Sequence, residues 1–399
     1  MESKKSVCVV APDIVSEQGG VTALASFVFD TLRRSGRYEP TYVSLAISSR
    51  DEASLRLLSP GSWRRSARAV RREWRGETHP HVGCHVAELE FQRYRPRAVL
   101  TNILNQYDVV HVVAGAPVWA LVAKECKGVL VLHAATLVES ERARVSRYAF
   151  PRWRYWMTRV ASRLDAAALR RVRLTFVINR RMEEAVGRVV GPSRVVFALP
   201  GVDTEHFRPS SYAEDGYILS VGRFSDPRKD VRTLMRAYAL LRRDAPDAPK
   251  LLLAGLTMPA REDWELAESL NVASFIETRE GVSHDALAEV YRGACMFALS
   301  SVEEGLSLAV MEAMATGLPV ISTRCGGPET IVSDGETGYL TPVMDARAMS
   351  EKMRALLADV DSRRRMGERA RLIAEETFSL ETAGRTIIQH YDEMLSGSG

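Results

Sequence analysis

The sequence of 399 residues is too long for one ordinary domain and fits two of about 150–200 residues each. Its formal net charge is only +4, from 54 basic and 50 acidic residues, which is far from the strongly basic balance of nucleic-acid-binding chains. The five cysteines are scattered and lack metal-ligand spacing, which predicts reduced thiols in a cytoplasm and no bound metal.

Targeting signals are not evident in the sequence. The first residues run into a strand pattern instead of a long apolar stretch, so no signal peptide is predicted. No run of about 18 uncharged apolar residues occurs either, which argues against a membrane-spanning helix. The predicted location is therefore the cytoplasm.

The basic segment of residues 63–75 is the one feature that suggests a membrane surface. Six arginines crowd there with Trp63 and Trp74. A basic helix that carries tryptophan can lie on an anionic bilayer, which predicts peripheral contact at the inner membrane face. The alternative is a solvated helix face in a chain whose usual cation is arginine.

Short apolar strands alternate with amphipathic helices along the chain, and this alternation predicts parallel sheets covered on both faces. The predicted strands of the first half are 7–11, 41–46, 109–113, 129–133, 174–178 and 195–198. Those of the second half are 217–221, 251–254, 273–276, 296–299, 320–322 and 338–341. Three helical patterns follow between 346 and 395.

The two series of strands predict an α/β chain with two facing, doubly wound, Rossmann-like domains. The predicted domains are 1–203 and 204–378, because proline, glycine and serine mark a linker near the first boundary. Residues 379–399 are predicted to form a helix that returns to the first domain and a flexible tail. Ligands of open α/β sheets bind beyond the carboxyl ends of strands, so the cleft between two such sheets is the expected site.

The stretch 301–329 has the pattern of a site for a phosphorylated sugar. Gly305, Leu306, Ser307, Leu308 and Ala309 form a predicted loop and helix start. Amides in the first turn of a helix suit a diphosphate, and a glycine lets a ligand approach closely. Two carboxylates of this stretch, Glu304 before the helix and Glu312 within it, can accept paired sugar hydroxyls. Each glutamate taken alone is better explained as a solvated surface residue, and only the grouping of these residues indicates a site.

Other candidate residues follow strands. Gly222 and Arg223 end a predicted strand and Lys229 comes six residues after Arg223, which places two cations where a leaving diphosphate needs them. Gly19 and Gly20 precede a helix, and His133 ends another strand. The alternatives are a pair of surface cations, a simple turn and a buried core histidine.

Together these motifs resemble the retaining, nucleotide-sugar-dependent glycosyltransferases of family 4, which have the GT-B fold. The family's ordered elements are matched by Glu304-Gly305-Leu306-Ser307-Leu308, Glu312-Ala313-Met314-Ala315, Gly317-Leu318-Pro319-Val320 and Gly326-Gly327. The resemblance is strong from 220 to 341 and holds in outline for the first half. It implies that the second domain binds the donor and the first meets the acceptor.

The resemblance also implies roles for single residues. Arg223 and Lys229 would bind the diphosphate together with amides near Leu308 and Ala309, and Gly19-Gly20 would cover the phosphates. Glu304 would bind a donor-sugar hydroxyl, and Glu312 the ribose hydroxyls. His133 would contact the sugar near its C6 hydroxyl.

The segment 277–281 departs from the family pattern, which has an apolar-Gly turn against the base. Arg279 of this segment is included among the predicted donor-binding residues, and the identity of the base stays open.

The implied activity is transfer of a hexose-type sugar from a nucleoside-diphosphate sugar, with UDP favoured, to a hydroxyl acceptor. No residue stands out as a covalent nucleophile, so front-face attack with retention and without a metal or other cofactor is expected. The acceptor is unknown: a lipid-linked or cell-surface glycan precursor is favoured, and a small natural-product aglycone is the alternative. A sugar-nucleotide epimerase of related fold is a weaker alternative, and a nicotinamide dehydrogenase lacks its Gly-x-Gly-x-x-Gly motif.

Overall fold

The computed structural model describes residues 4–12, 20–48, 50–57, 67–74, 76–86, 88–138, 151–210 and 216–396, and only the backbone of 151–157. The chain divides into two compact units. The first consists of Met1–Pro200 and Gly384–Gly399, and the second of Gly201–Ala383. The first unit ends at Pro200, three residues before the predicted boundary at 203. Its C-terminal part begins at Gly384, five residues after the predicted start at 379.

The first unit is built on one eight-stranded sheet. Its strands are β1 Lys5–Pro12, β2 Tyr38–Leu45, β3 Ala69–Trp74, β4 Glu77–Val82, β5 Val109–Ala114, β6 Val129–Ala134, β7 Leu174–Val177 and β8 Val195–Phe197. The spatial order is β3-β4-β2-β1-β5-β6-β7-β8, and every pair is parallel except β3 with β4. The central strands are fully buried, as expected of a parallel sheet covered on both faces.

The helices of this unit connect the strands. They are α1 Gly20–Arg34, α2 Glu90–Arg93, α3 Ala98–Leu104, α4 Pro151–Arg171 and α5 Arg180–Val190. Local sequence explains the start of α5, because the Asn179 side chain accepts a hydrogen bond from the Met182 amide and so caps the first turn.

The second unit contains a six-stranded, fully parallel sheet. Its strands are β9 Tyr217–Arg223, β10 Leu251–Thr257, β11 Ile276–Glu280, β12 Ala294–Leu299, β13 Val320–Thr323 and β14 Gly338–Thr341, in the order β11-β10-β9-β12-β13-β14. Its helices are α6 Val231–Asp244, α7 Arg261–Ser269, α8 His284–Arg292, α9 Leu308–Ala315, α10 Ala346–Ala358 and α11 Val360–Phe378. The predicted fold class, α/β with two doubly wound Rossmann-like domains, is thereby confirmed.

The last helix, α12 Leu380–Ser396, belongs to the first unit from Gly384 onward. The Tyr391 hydroxyl lies 2.7 Å from His111 Nδ1 on β5, and the Tyr38 hydroxyl donates to Asp392 Oδ1 at 2.6 Å. These contacts fix the helix on the sheet of the first unit. Of the helices in the described ranges, none has the length and apolar character that crossing a bilayer requires.

The prediction of a helix in the basic segment is wrong for residues 69–74, which form β3. This strand pairs antiparallel with β4 through a two-residue connection whose Gly76 has a φ of 76°, the left-handed conformation that tight hairpins require. The Trp74 ring stacks on Tyr42 with centroids 4.4 Å apart. Residues 63–66 and 75 lie outside the described residues. The Trp74 ring at the end of β3 therefore packs on β2 of the first unit.

Candidate active site

Three neighbouring strands of the second unit, β9, β12 and β13, end at one edge of its sheet. The Nζ atom of Lys229, which follows β9, lies 2.5 Å from Oε1 of Glu304, which follows β12. The two side chains are only 17% and 12% exposed. The buried Ser301 hydroxyl donates to the same carboxylate oxygen at 2.7 Å. A cation and a carboxylate from distant parts of the sequence thus meet at the sheet edge.

A short turn holds Lys229 at this position. The Asp226 side chain accepts a hydrogen bond from the Arg228 amide and begins a single 3-10 turn, and Asp230 ends it with a φ of 43° and caps α6. Two hydrogen bonds then join the turn to the segment after β12. The Ser300 hydroxyl donates to the Lys229 carbonyl at 2.9 Å, and the Val302 amide donates to the Arg228 carbonyl at 2.8 Å.

Gly222 lies beneath the lysine stem. A methyl group added at Gly222 would meet Cδ and Cε of Lys229 at 3.6 Å, an ordinary contact distance. The aliphatic part of the lysine therefore packs over the end of β9, and its ammonium projects beyond the strand toward Glu304. This packing restricts the side chain to few conformations.

Two arginines share the Asp226 carboxylate beside Lys229. Arg228 Nη2 lies 2.7 Å and Arg223 Nη2 3.6 Å from Asp226 Oδ2. Burial alone would raise the pKa of Asp226, but the hydrogen bonds and the charge of Arg228 lower it below its usual value. Sequence reasoning missed Arg228, although its place in Asp226-Pro227-Arg228-Lys229, directly before the predicted lysine, was a usable signal.

The glycine pair Gly326-Gly327 packs directly against the Glu304 loop. The Glu304 amide donates to the Cys325 carbonyl at 3.0 Å, and the Gly327 amide donates to the Glu304 carbonyl at 2.9 Å. A Cβ atom at Gly327 would lie 2.6 Å from Leu306 Cα, closer than real Cβ contacts occur. Only glycine therefore lets the two backbone segments approach this closely.

The start of α9 offers backbone donors at the same edge. Ser307 precedes the helix and is buried, yet its side chain makes no capping hydrogen bond to the first turn. The first amides of a helix have no partner within the helix and lie at the positive end of its dipole. The predicted residues Gly305, Leu306, Leu308 and Ala309 thus form a helix start that can receive an anion.

Glu312 lies one turn further along α9. Its Oε2 atom accepts a hydrogen bond of 2.8 Å from the Tyr291 hydroxyl, which belongs to α8. Burial raises the pKa of Glu312 to about 7, although the hydrogen bond from Tyr291 acts in the opposite direction. Sequence reasoning found Glu312 but not its partner, because a single tyrosine inside an amphipathic helix carries no pattern of its own.

The remaining predicted residues lie elsewhere. Gly20 begins α1, and Gly19 lies outside the described residues. His133 is fully buried in β6 of the first unit, with its ring centroid 5.9 Å from that of His111 and 5.6 Å from that of Phe176. Burial lowers the pKa of His133 to about 3, so the ring is neutral. Its contact with a donor sugar stays a prediction.

Arg279 lies on β11, in register with Ala254 of β10, which pairs with Val221 near the end of β9. Its guanidinium carbon lies 5.8 Å from the ring centroid of Tyr217, which begins β9, whereas Gly222 and Arg223 end that strand. The structure brings together Lys229, Glu304, Arg223 and the start of α9, and donor binding by Arg279 stays a prediction. Within the described ranges, His, Cys, Asp and Glu side chains form no group of three that could hold a metal ion.

Comparison with known proteins agrees with this geometry. Residues 202–373 match the family model described as glycosyl transferases group 1. One relative, the GDP-mannose-dependent alpha-(1-6)-phosphatidylinositol monomannoside mannosyltransferase of Mycolicibacterium smegmatis, is 31% identical over 244 residues, or 56% of this chain and 62% of that protein. The chain spans about half the length of the curated relatives it matches.

Two solved structures share the whole fold. Sucrose-phosphate synthase from Thermosynechococcus elongatus superposes with a TM-score of 0.75 at 19% identity, over 99% of this chain and 100% of that one. The Anabaena protein HepE, in complex with UDP and glucose, gives 0.70 at 16% identity, over 97% and 99%. The chain therefore has the GT-B fold, and its residues 202–373 are similar to the glycosyl transferases group 1.

Proposed function

We propose that the protein is a retaining family 4 glycosyltransferase, which moves a hexose-type sugar from a nucleoside-diphosphate sugar to a hydroxyl acceptor without a metal ion or other cofactor. The observation that carries this proposal is the meeting of Lys229 and Glu304 at the carboxyl edge of the second sheet. A phosphorylated sugar needs a cation for its phosphates and a carboxylate for its hydroxyls within one molecular length, and this pair supplies both.

Binding of the donor would break this ion pair and give each side chain a new partner on the donor. The diphosphate oxygens would take the ammonium of Lys229, the guanidinium of Arg223 and amides at the start of α9. A sugar hydroxyl would donate to the Glu304 carboxylate, which Ser301 keeps in place through its 2.7 Å hydrogen bond. Glu312 would accept the ribose hydroxyls.

The chemical step follows from where charge develops. Breaking the glycosidic bond leaves negative charge on the diphosphate, and fixed cations stabilise that charge without having to reorganise. The acceptor hydroxyl would attack from the face that the diphosphate leaves, and a phosphate oxygen would take its proton. No carboxylate is needed as a covalent nucleophile on this route, and the configuration at the anomeric carbon is retained.

The nucleotide and the acceptor are proposed on separate grounds. HepE binds UDP, which supports UDP as the favoured nucleotide, whereas the mannosyltransferase relative is named for GDP-mannose, which makes GDP the second choice. Its named acceptor is a phosphatidylinositol monomannoside, and this supports a lipid-linked or cell-surface glycan precursor as the acceptor here. A cytoplasmic enzyme that meets such an acceptor at the inner membrane face, with residues 63–75 as the contact, is part of the proposal.

A thermal-shift screen of UDP, GDP, ADP and TDP tests the donor site. We expect one or two of these nucleotides to raise the melting temperature, and sugars linked to the best of them to be hydrolysed slowly. A flat response to all four would overturn the proposal. Nuclear magnetic resonance of the released or transferred sugar then reports the anomeric configuration, and an inverted product would contradict retention.

The alternatives predict different products. Transfer to a small natural-product aglycone, with no activity on lipid-linked acceptors, would replace the favoured acceptor class and keep the donor chemistry. Isomerised donor formed without any acceptor would instead support a sugar-nucleotide epimerase.

A further inference from the structure

The Tyr291 side chain contacts Glu312 from beneath the helix start. Tyr291 is fully buried near the end of α8, and its hydroxyl lies 2.8 Å from Glu312 Oε2 and 3.1 Å from the Ala309 carbonyl oxygen. Both neighbours are acceptors, so the hydroxyl is the donor in either contact. One buried group therefore joins the predicted ribose-binding carboxylate to the first turn of α9.

The tyrosine ring is held firmly enough to define the position of its hydroxyl. Its centroid lies 5.7 Å from that of Phe207 in an edge-to-face arrangement and 6.0 Å from that of Phe297 on β12. Burial, together with the neighbouring Glu312, raises the pKa of Tyr291 well above its ordinary value. The hydroxyl thus keeps its proton, and can act as a donor, at neutral pH.

This hydrogen bond bears on the charge of Glu312. A carboxylate can accept hydrogen bonds from both hydroxyls of a ribose, whereas a protonated acid must donate one of its own. Burial raises the pKa of Glu312 to about 7, and the hydrogen bond from Tyr291 favours the ionised form. Loss of the Tyr291 hydroxyl would leave more of the protonated acid at neutral pH.

We infer that Tyr291 is a positioning residue of the nucleotide subsite, which holds the Glu312 carboxylate in place to accept the two ribose hydroxyls of a nucleoside diphosphate. The inference rests on the proposed function, since it assigns a role within the same donor site. Tyr291 itself does not touch the donor: it acts through Glu312 and through the first turn of α9.

The substitution Tyr291→Phe tests this role in the full-length chain. Calorimetric titration with UDP, GDP, ADP and TDP should show affinity for the best-binding nucleotide that is about tenfold weaker at pH 7 than in the wild type, because a hydrogen bond to a charged group is lost. The KM for the donor should rise while kcat at saturating donor changes little. Loss of the hydrogen bond should raise the pKa of Glu312. On acidification, the nucleotide affinity of Tyr291→Phe should therefore begin to fall at a higher pH than that of the wild type.

Tyr238→Phe is the matched control. Tyr238 is another fully buried tyrosine of the second unit, and its hydroxyl donates to the Pro249 carbonyl at 2.9 Å, away from α9. We expect Tyr238→Phe to keep the nucleotide affinity and its pH profile. A general effect of removing a buried tyrosine hydroxyl would appear in both variants, whereas a positioning effect appears only in Tyr291→Phe.

Two further measurements separate positioning from loss of structure. Wild-type protein should bind the 2′-deoxy form of the best nucleotide more weakly than the ribose form, and Tyr291→Phe should lose less affinity on the same change. Glu312→Gln, which keeps an acceptor oxygen but cannot titrate, should lose the part of the pH dependence near 7 that comes from Glu312 and keep only the part that comes from ionisation of the nucleotide's terminal phosphate. This variant tests the inference even if Tyr291→Phe does not fold.

The outcomes are distinct. If the wild type binds a nucleotide and Tyr291→Phe binds it equally well with the same pH profile, the inference is overturned and the proposed function stands. The inference is likewise overturned if Glu312→Gln keeps the wild-type pH dependence. If none of the four nucleotides binds the wild type, the inference and the proposed function both fail.

Discussion

The two units have the same architecture but place their polar groups differently. In the second unit, Lys229 and Glu304 lie at the edge of the sheet, partly exposed and paired with each other. In the first unit, Ser44, His81 and Asp51 are hydrogen-bonded to one another inside the fold, where their side chains are largely shielded from solvent. A charged side chain at a strand end can give up its partner and bind a ligand instead. A polar side chain that is hydrogen-bonded within the core stabilises the fold.

A hydrogen-bonded network in the first unit illustrates polar side chains that are paired within the core. The Ser44 hydroxyl on β2 lies 2.9 Å from His79 Nε2 and 2.8 Å from His81 Nδ1, both on β4. His81 Nε2 lies 2.9 Å from Asp51 Oδ2, which also accepts a hydrogen bond of 2.6 Å from Arg72. A serine, histidine and aspartate in sequence resemble a catalytic triad, but Ser44 and His81 are at most 1% exposed. This hydrogen-bonded network therefore joins β2, β3 and β4, and its serine and histidine are not accessible to a substrate.

The largest effect is expected when the ion pair at the sheet edge is broken. Lys229→Ala should lower turnover by roughly two to three orders of magnitude, because removing a group that stabilises charge in the transition state costs about 3–4 kcal/mol. Glu304→Ala should lower turnover by about two orders of magnitude, because the donor sugar loses the carboxylate that positions it. Steady-state kinetics and thermal melting of both variants check this.

A surface ion pair of the same unit provides the control for that experiment. Lys250 pairs with Glu277 at 2.6 Å, but these side chains are 59% and 48% exposed. Lys250→Ala should leave turnover unchanged, since exposed pairs contribute little. Near-normal turnover in Lys229→Ala would remove the lysine from the proposed site.

Breaking the buried hydrogen-bond network of the first unit should lower the stability of the protein and leave ligand binding unchanged. Asp51→Ala removes the acceptor of His81 and Arg72 and should lower the free energy of unfolding by about 3 kcal/mol, as expected when a buried charged hydrogen bond loses one partner. Nucleotide affinity should stay at the wild-type value. Denaturant unfolding and calorimetric titration measure the two quantities, and a selective loss of nucleotide binding would contradict a purely structural role.

The two units should also respond to pH with opposite sign. Burial lowers the pKa of His79 to about 4 and that of His133 to about 3, so the unfolded chain binds more protons below about pH 6.5 and the first unit loses stability as the pH falls. Burial raises the pKa of Glu312 to about 7, so its contribution in the ligand-free second unit is present below about pH 4.5 and is lost as the pH rises through 7.

Hydrogen–deuterium exchange, with rates corrected for the intrinsic effect of pH, distinguishes these contributions. Protection of β4, which carries His79, and of β6, which carries His133, should weaken between about pH 6.5 and pH 4. The contribution of Glu312 to protection of α9 should grow over the same interval. Equal loss of protection in α9 and in the strands of the first unit on acidification would contradict the prediction of opposite pH responses.

The smallest effect is expected at Arg279. Its guanidinium lies near Tyr217 at the start of β9, so Arg279→Ala should change nucleotide affinity by less than about twofold, the usual result for a surface arginine away from a ligand. Calorimetric titration checks this value. A loss of tenfold or more would support the sequence-based prediction that Arg279 binds the donor.

Most of the sheet was predictable, and the errors have physical causes. The buried parallel strands were found because both faces are apolar, as in Val109–Ala114. The hairpin of β3 and β4 was missed because its residues are mixed polar and apolar, and an arginine-rich strand at an edge has no buried face to reveal it. The strand predicted at 273–276 starts at Ile276 instead, since Ala273–Phe275 form a 3-10 turn and β11 is exposed after its first residue.

The sequence by itself determined the order of strands and helices in the second unit and the glycine- and glutamate-containing segment that resembles a donor site. It did so because periodicity and local motifs act over a few residues. Only the tertiary structure decided that Lys229 pairs with Glu304, 75 residues away, that Tyr291 is hydrogen-bonded to Glu312, 21 residues away, and that the His133 ring stacks on His111. These contacts depend on which strand ends the parallel sheet brings side by side, and no local pattern encodes that.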